Sequence, residues 1–273
     1  MSEAPALLVV GAHPDDCEIT AGGVAALTAA RGGRVLHVAM TNGDKGHQTL
    51  SGAKLARMRR SEAQAAAAAC GAEAIVLDNH DGELLPTLEH RYELIRVLRE
   101  FRPDLVLFPR PWDYHPDHRY TSQLTQDALY MVRVPSVCPY VKRLEADPVA
   151  MYVSDHFQKP YPFQADVIID IGPVLEQKLE AMGGHVSQMY EWLPFINGNM
   201  GLSDIPHDPA GRRAFLRNQW DGRLRRDADR FRSQLIATYG AERGAKVAYA
   251  EAFEVCELGA PLTPVLRERF FPF

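Results

Sequence analysis

The sequence predicts an α/β fold, a three-layer sandwich on a mainly parallel sheet with a C-terminal elaboration. Two observations predict it. Short apolar runs alternate with helix-like segments through the first half of the chain. Those runs are continuous in Val, Leu and Ile, with no polar alternation, so each strand is covered on both faces and helices flank a parallel sheet. Right-handed crossovers then make the arrangement Rossmann-like. A chain of 273 residues suits one large α/β domain of this kind.

In chain order, strand-like runs occupy 6–12, 34–40, 74–78 and 104–109, and helix-like segments 23–30, 52–70 and 88–101. The stretch from Ala63 to Ala69 is nearly all alanine, the strongest helix former, and Gly71 stops it. Pro103 ends the next helix just before Asp104. A helix follows Pro116, over 117–132, and the proline-punctuated 135–148 is a loop. Strands are expected at 149–154 and 166–171. Pro173 then opens a helix reaching about 192. A loop at 197–209 leads to a polar helix over 209–239, whose many arginines read as a solvated face above Phe215, Leu216, Leu224, Phe231 and Leu235. A strand at 249–256 closes the sheet, and the tail is irregular.

With 46% hydrophobic and 24% charged residues the composition is that of a soluble globular chain. The net charge of −5 argues against a nucleic-acid or anionic-membrane partner. No apolar run approaches the roughly 18 residues of a membrane span. Met1-Ser2-Glu3-Ala4-Pro5 lacks the basic start of a signal peptide, so a cytoplasmic location is expected. Cys17, Cys70, Cys138 and Cys256 are scattered and read as free thiols, Cys17 as a small apolar residue packed beneath the segment that contains it.

That segment, Ala12-His13-Pro14-Asp15-Asp16-Cys17-Glu18, sets one imidazole and three carboxylates at a strand-to-helix seam. A second, Asp113-Tyr114-His115-Pro116-Asp117-His118-Arg119, also follows a strand and precedes a helix. Either alone is readable as a capped helix start. Together they fall on the same rim, outside the carboxyl ends of parallel strands, where ligands gather. His13 and Asp16, three apart across the turn, converge, and His118 adds a second imidazole. Two His and one carboxylate leave positions open on a metal, a set that suits catalytic zinc and also non-haem iron(II). Asp15 stands beside a ligand as a base for metal-activated water, and His115 is expected to donate to an oxyanion as an imidazolium. Glu18 is expected to orient a ligand or cap the helix.

His13-Pro14-Asp15-Asp16-x-Glu18 with His115-Pro116-Asp117-His118 resembles the zinc-dependent LmbE-like (PIG-L) deacetylases of N-acetylglucosaminyl compounds. The resemblance spans a core of about 5–190 within one domain over 1–273, with a helical and strand elaboration at about 191–273. Thr41-Asn42-Gly43-Asp44, Arg59-x-x-Glu62, Asp81-Gly82 and His185-Val186-Ser187-Gln188 resemble further family segments. The resemblance implies Zn2+ on His13, Asp16 and His118, Asp15 as general base, and His115 as general acid and oxyanion stabiliser. It implies sugar contacts from Asp44, Arg59 and Asp81. The implied activity is removal of an N-acetyl group from an amino sugar or its conjugate. The alternatives are an amidase on a thiol–sugar conjugate and a non-haem iron(II) enzyme. A small-molecule substrate and a homo-oligomer, trimer or hexamer, are also implied, with specificity set by loops 134–148, 157–162 and 192–208.

Overall fold

The computed structural model describes residues 4–198 and 200–273. Met1–Glu3, read above for a leader, and Asn199, within the expected 197–209 loop, lie outside the described residues. The sheet has seven strands: β1 (Ala6–Gly11), β2 (Arg34–Thr41), β3 (Glu73–Asn79), β4 (Leu105–Phe108), β5 (Val149–Val153), β6 (Val167–Asp170) and β7 (Ala250–Val255). Their order is β3-β2-β1-β4-β5-β7-β6. The first five are parallel, and β7 runs antiparallel between β5 and β6. The chain winds outward from β1 to β3, then returns to lay β4 on the other side of β1. The two motifs thus emerge on either side of the point where strand order reverses, and there a doubly wound sheet opens a crevice.

Successive residues of β1 feed opposite cores. Leu7 and Val9 pack with Leu105, Leu107 and Met151 on one face, and Leu8 and Val10 with Val106, Phe108, Leu94 and Leu124 on the other. Both faces are apolar, which accounts for the continuous Val/Leu/Ile runs. Helices α2 (Gly52–Ala69), α3 (Leu88–Phe101) and α4 (Pro116–Met131) match the sequence expectation closely.

Helix α1 (Asp16–Ala30) does not. It begins at Asp16, so the first motif forms its opening turn and the Gly22-Gly23 pair lies inside it. A Cβ on Gly23 would meet Ile171 at 2.5 Å, so the glycine serves close packing. Its N–H donates to Glu251 Oε1 at 2.8 Å, and that of Val24 to Glu251 Oε2 at 2.8 Å. Lys178 Nζ donates to the Ile19 carbonyl at 2.8 Å and to Glu251 Oε1 at 2.6 Å. A buried Lys–Glu pair from elsewhere in the chain thus serves backbone groups in the middle of α1.

The expected helix from Pro173 to about 192 is two pieces, α5 (Leu175–Gly184) and a π-helical turn at Ser187–Trp192. The turn is followed by α6 (Leu193–Gly198). The polar helix breaks at Phe231 into α7 (Pro209–Arg230) and α8 (Arg232–Tyr239), and α9 (Ala241–Lys246) leads into β7. The tail, expected to be irregular, forms α10 (Pro264–Phe270), with Thr263 Oγ1 accepting the Leu266 N–H at 3.3 Å and Pro264 opening the helix. No helix among the described residues is long and apolar enough to cross a membrane.

Candidate functional site

The turn after β1 is shaped by backbone demand. A Cβ on Gly11 would lie 2.6 Å from Asp16 Cβ, so only glycine lets the strand end approach that side chain. Asp16 Oδ2 accepts the N–H groups of Ala12 at 2.9 Å and His13 at 2.8 Å, and Thr41 ties the Ala12 carbonyl to the end of β2. Beyond β4, Asp113 Oδ1 accepts the His115 N–H at 2.9 Å, and His115 caps α4 by accepting the Asp117 N–H on Nδ1 at 3.2 Å.

These turns bring His13, Asp16 and His118 together. His13 Nδ1 lies 3.2 Å from His118 Nε2. Asp16 Oδ2 lies 3.5 Å from the first nitrogen and 3.4 Å from the second. Tetrahedral bonds of about 2.0–2.1 Å set donors about 3.3–3.4 Å apart, so this triangle has the edges of a site for a small divalent ion. Among the described residues two further overlapping donor sets are compact enough to hold an ion, His13 with His115 and His118, and His13 with Asp81 and Asp117. The two nitrogens of His13 separate them. Nδ1 faces Asp16 and His118, whereas Nε2 faces Asp81 Oδ1 and Asp117 Oδ2, each 3.4 Å away and neither well aligned for a hydrogen bond. Asp16 and His118, on the Nδ1 side, line a cavity together with His13. A ligating histidine turns its other nitrogen to a carboxylate, and Asp81 and Asp117 stand where that partner belongs. Asp113 Oδ2, 3.1 Å from His118 Nδ1, stands likewise behind His118. Asp117 is fully buried and accepts the Gly82 N–H at 2.7 Å, which fixes it.

Charge favours an ion as well. The carboxylates of Asp15, Asp16, Asp81, Asp113 and Asp117 surround three imidazoles. Burial alone would lower the pKa of His13, yet Asp117, Asp16 and Asp81 hold it well above the usual imidazole value. Asp16 and Asp113 likewise outweigh burial at His118. A field that draws protons onto both rings equally favours a dication between them.

Asp15 is buried, lines the cavity and makes no side-chain hydrogen bond among the described residues. Burial and then Asp16 raise its pKa, against the pull of His185 and Arg59. His115 packs edge-on against His13, ring centroids 4.5 Å apart, but is absent from the cavity wall. Burial and the two neighbouring imidazoles lower its pKa. Nδ1 accepts a backbone N–H, which leaves Nε2 as the nitrogen free to donate, whereas the imidazolium expected above would use Nδ1 as a donor too.

The other resembling segments meet as scaffold. Glu62 accepts the N–H of Ser187 at 2.9 Å and its hydroxyl at 2.6 Å. Arg59, buried, donates to Gln188 Oε1 and the Gly46 carbonyl, with Nη1 4.0 Å from Asp81. Gly43 at φ +68 leaves room for it, since a Cβ there would lie 2.6 Å from Arg59 Cδ. Asp44 accepts from His80 Nδ1 at 2.7 Å and from the Asp81 N–H at 3.1 Å. Asp44, Arg59 and Asp81 therefore form a buried network whose members are engaged with one another. None of the three is among the residues that line the cavity.

Glu18, expected to orient a ligand or cap the helix, pairs with two imidazoles outside the His13–Asp16–His118 set. Buried, it lies 2.6 Å from His37 Nδ1 and 2.9 Å from His185 Nε2. Burial opposes its ionisation, but the two imidazoles hold its pKa down at about 2. Its contribution to stability is present above the ordinary value of 4.5 and is lost as pH falls from there toward 2. Urea unfolding of Glu18→Gln is therefore expected to show a deficit at pH 7 that narrows below pH 4.5. A deficit constant with pH would mean that the imidazoles do not hold this carboxylate. Cys17 donates to the Val9 carbonyl at 3.5 Å, and burial drives its thiol pKa upward, as befits a packing residue. All four cysteines are free.

The cavity, about 750 Å³, is walled on one side by His13, Asp15, Asp16 and His118. Tyr114, whose ring lies 5.8 Å from that of His118, and Phe157, Trp220 and Arg223 line it as well. The α7 residues among these were missed in the sequence, where arginines spaced along a polar helix read as solvated.

A family model described as PIG-L, GlcNAc-PI de-N-acetylase, matches residues 8–129. Diacetylchitobiose deacetylase of Thermococcus kodakarensis is 32% identical over 201 residues, 70% of this chain and 74% of that protein. 4-Oxalmesaconate hydratase of Pseudomonas putida is 29% identical over 193 residues, 68% of this chain and 74% of that one. The solved N,N'-diacetylchitobiose deacetylase of Pyrococcus horikoshii superposes with a TM-score of 0.70 at 26% identity, over 99% of this chain and 88% of the other.

Proposed function

The chain belongs to the PIG-L family of de-N-acetylases, and from that premise we propose that it is a zinc-dependent hydrolase removing the N-acetyl group from an amino sugar or amino-sugar conjugate. The observation that carries the proposal is the His13–Asp16–His118 triangle, open to a cavity on the side where Asp15 stands. When bound there, a divalent ion supplies Lewis-acid polarisation and acidifies water.

The remaining roles fall to the chain's own side chains. Asp15, whose carboxylate has no hydrogen bond among the described residues, takes the proton from the attacking water. His115, packed edge-on against His13 behind the cavity wall, takes the role of donor to the carbonyl oxygen once its ring turns Nε2 toward the cavity. Asp113, Asp117 and Asp81 keep the rings of His118 and His13 oriented. As the C–N bond breaks, the proton held by Asp15 passes to the departing nitrogen, leaving acetate and a free amine. Zinc is preferred over iron(II) because the proposed reaction is not a redox one, and metal analysis after anaerobic purification separates the two.

Zinc-loaded protein incubated with N-acetylglucosamine, N,N'-diacetylchitobiose and their acidic derivatives is expected to release acetate and amine in equal amounts from at least one of them. Absence of both products from every compound would reject the reading. Addition of water to a carboxylated alkene by the same protein would move it toward the hydratase relative.

A further inference from the structure

Helix α7 presents an unusual wall to the cavity. Leu216, Trp220 and Leu224 lie at helical spacing and pack inward, capped at the helix start by Asp208, whose Oδ1 accepts the Gly211 N–H at 2.8 Å. Beside that stripe Arg223 and Arg226, three residues apart and so on neighbouring positions of one face, both line the cavity.

Asp15 aside, the carboxylates of the cavity wall have cationic partners. Asp16 and Asp113 face His13 and His118. Asp155 lies 3.4 Å from Arg110 Nε, and Arg110 is further engaged by Glu254 at 3.6 Å and the Tyr161 carbonyl at 2.8 Å. Asp227 accepts the Ser154 hydroxyl at 2.8 Å and lies 3.6 Å from Arg226 Nε, which is buried with no hydrogen-bond partner among the described residues. Arg223 has no carboxylate partner among the described residues. Its guanidinium lies over the Trp220 ring, 4.9 Å from the centroid. Arg223 is exposed, with the like charge of Arg226 beside it on the helix. Two like charges at this spacing on a helix repel. A planar guanidinium held on an aromatic face with its donors open suits a two-oxygen anion.

Resting on the deacetylase reading above, we propose that the substrate carries an anionic group, a carboxylate or a phosphate, bound by Arg223 with Arg226 while the N-acetyl group lies at the His13–Asp16–His118 cluster. The neutral sugar is then the poor substrate.

The test measures acetate release by zinc-loaded protein from N-acetylglucosamine, N-acetylglucosamine 6-phosphate and N-acetylmuramic acid, which separate the neutral, phosphate and carboxylate cases. At least one acidic compound is expected to have a kcat/KM at least about tenfold above the neutral sugar. Arg223→Gln is expected to cut that value by about 10- to 100-fold, mostly through KM, as for a lost charge-assisted hydrogen bond. Arg223→Lys should recover part of the loss. The loss on the neutral sugar should be at least tenfold smaller. A preference for the neutral sugar, or an equal loss on all three, overturns the proposal.

Should no compound release acetate, the deacetylase reading fails and the subsite is judged separately. Succinate and inorganic phosphate are then titrated against tryptophan fluorescence in zinc-loaded wild type and Arg223→Gln. A saturable change that the variant loses upholds the anion subsite, and identical titrations remove it.

Discussion

Asp15→Asn is expected to stay folded and metal-loaded while kcat falls by about 10²- to 10⁴-fold, the usual worth of a general base. The substitution keeps the size and planarity of the side chain. It removes the charge and the ability to take a proton. Asp15 caps nothing with its side chain and makes no hydrogen bond among the described residues, so little structure depends on it. Its surroundings instead set its proton affinity. Burial and the adjacent Asp16 raise the pKa, and His185 and Arg59 limit the rise. The base works only when ionised, so the rate of the wild type rises with pH through a value above the ordinary 3.8 of an aspartate. The variant is expected to lose that acid limb along with the rate. Metal content near one equivalent, circular dichroism and a pH–rate profile check each part. Wild-type turnover in metal-loaded Asp15→Asn would remove Asp15 from the proton path.

His118→Ala is expected to lose the metal itself. It deletes one corner of the donor triangle and leaves Asp16 and His13 as a two-donor remnant. After dialysis the variant should hold well under a tenth of an equivalent by elemental analysis. Its melting temperature should no longer respond to added zinc, because an ion stabilises only a fold that binds it. Asp113→Asn makes the graded comparison. Asp113 stands behind His118 at 3.1 Å, and loss of such an orienting carboxylate weakens metal affinity by about 10- to 100-fold without abolishing it. Stoichiometric zinc retained by His118→Ala would place the ion elsewhere, with His13, Asp81 and Asp117 as the remaining compact donor set.

The parts legible in the sequence are those that local chemistry decides. Strands β1, β2 and β4 announce themselves because burial on both faces demands unbroken apolar runs. The two motifs announce themselves because charged residues at strand ends are costly without a purpose. The start of α1 was hidden by Gly22-Gly23, which reads as a breaker until Ile171 and Glu251 are seen against it. The tail helix α10 had its signal in Thr263-Pro264, a cap and a first-turn proline, inside a stretch otherwise read as irregular. Asp113 and Asp117 stood in the quoted motif, but their orienting positions depend on which ring nitrogen they face. Arg59-x-x-Glu62 and Ser187-Gln188 were visible as segments, while their contact spans more than a hundred residues. Arg223 and Arg226 carry no mark that tells a cavity wall from a wet surface.

The Glu251 carboxylate in the middle of α1 ties function to the order of synthesis. The helix that opens with the Asp15–Asp16 turn receives two of its backbone contacts from a residue 228 positions after Gly23. On the ribosome, residues 8–129, which hold both motifs, emerge long before β7. Throughout that interval Gly23 and Val24 lack their carboxylate, and Lys178 arrives before the partner that neutralises it. A nascent chain can therefore display both motifs while the helix that follows the first of them still lacks two of its contacts. Those two contacts to the middle of α1 are therefore completed only when the last strand is made, whereas the turn that carries His13 and Asp16 is held by residues 11–41.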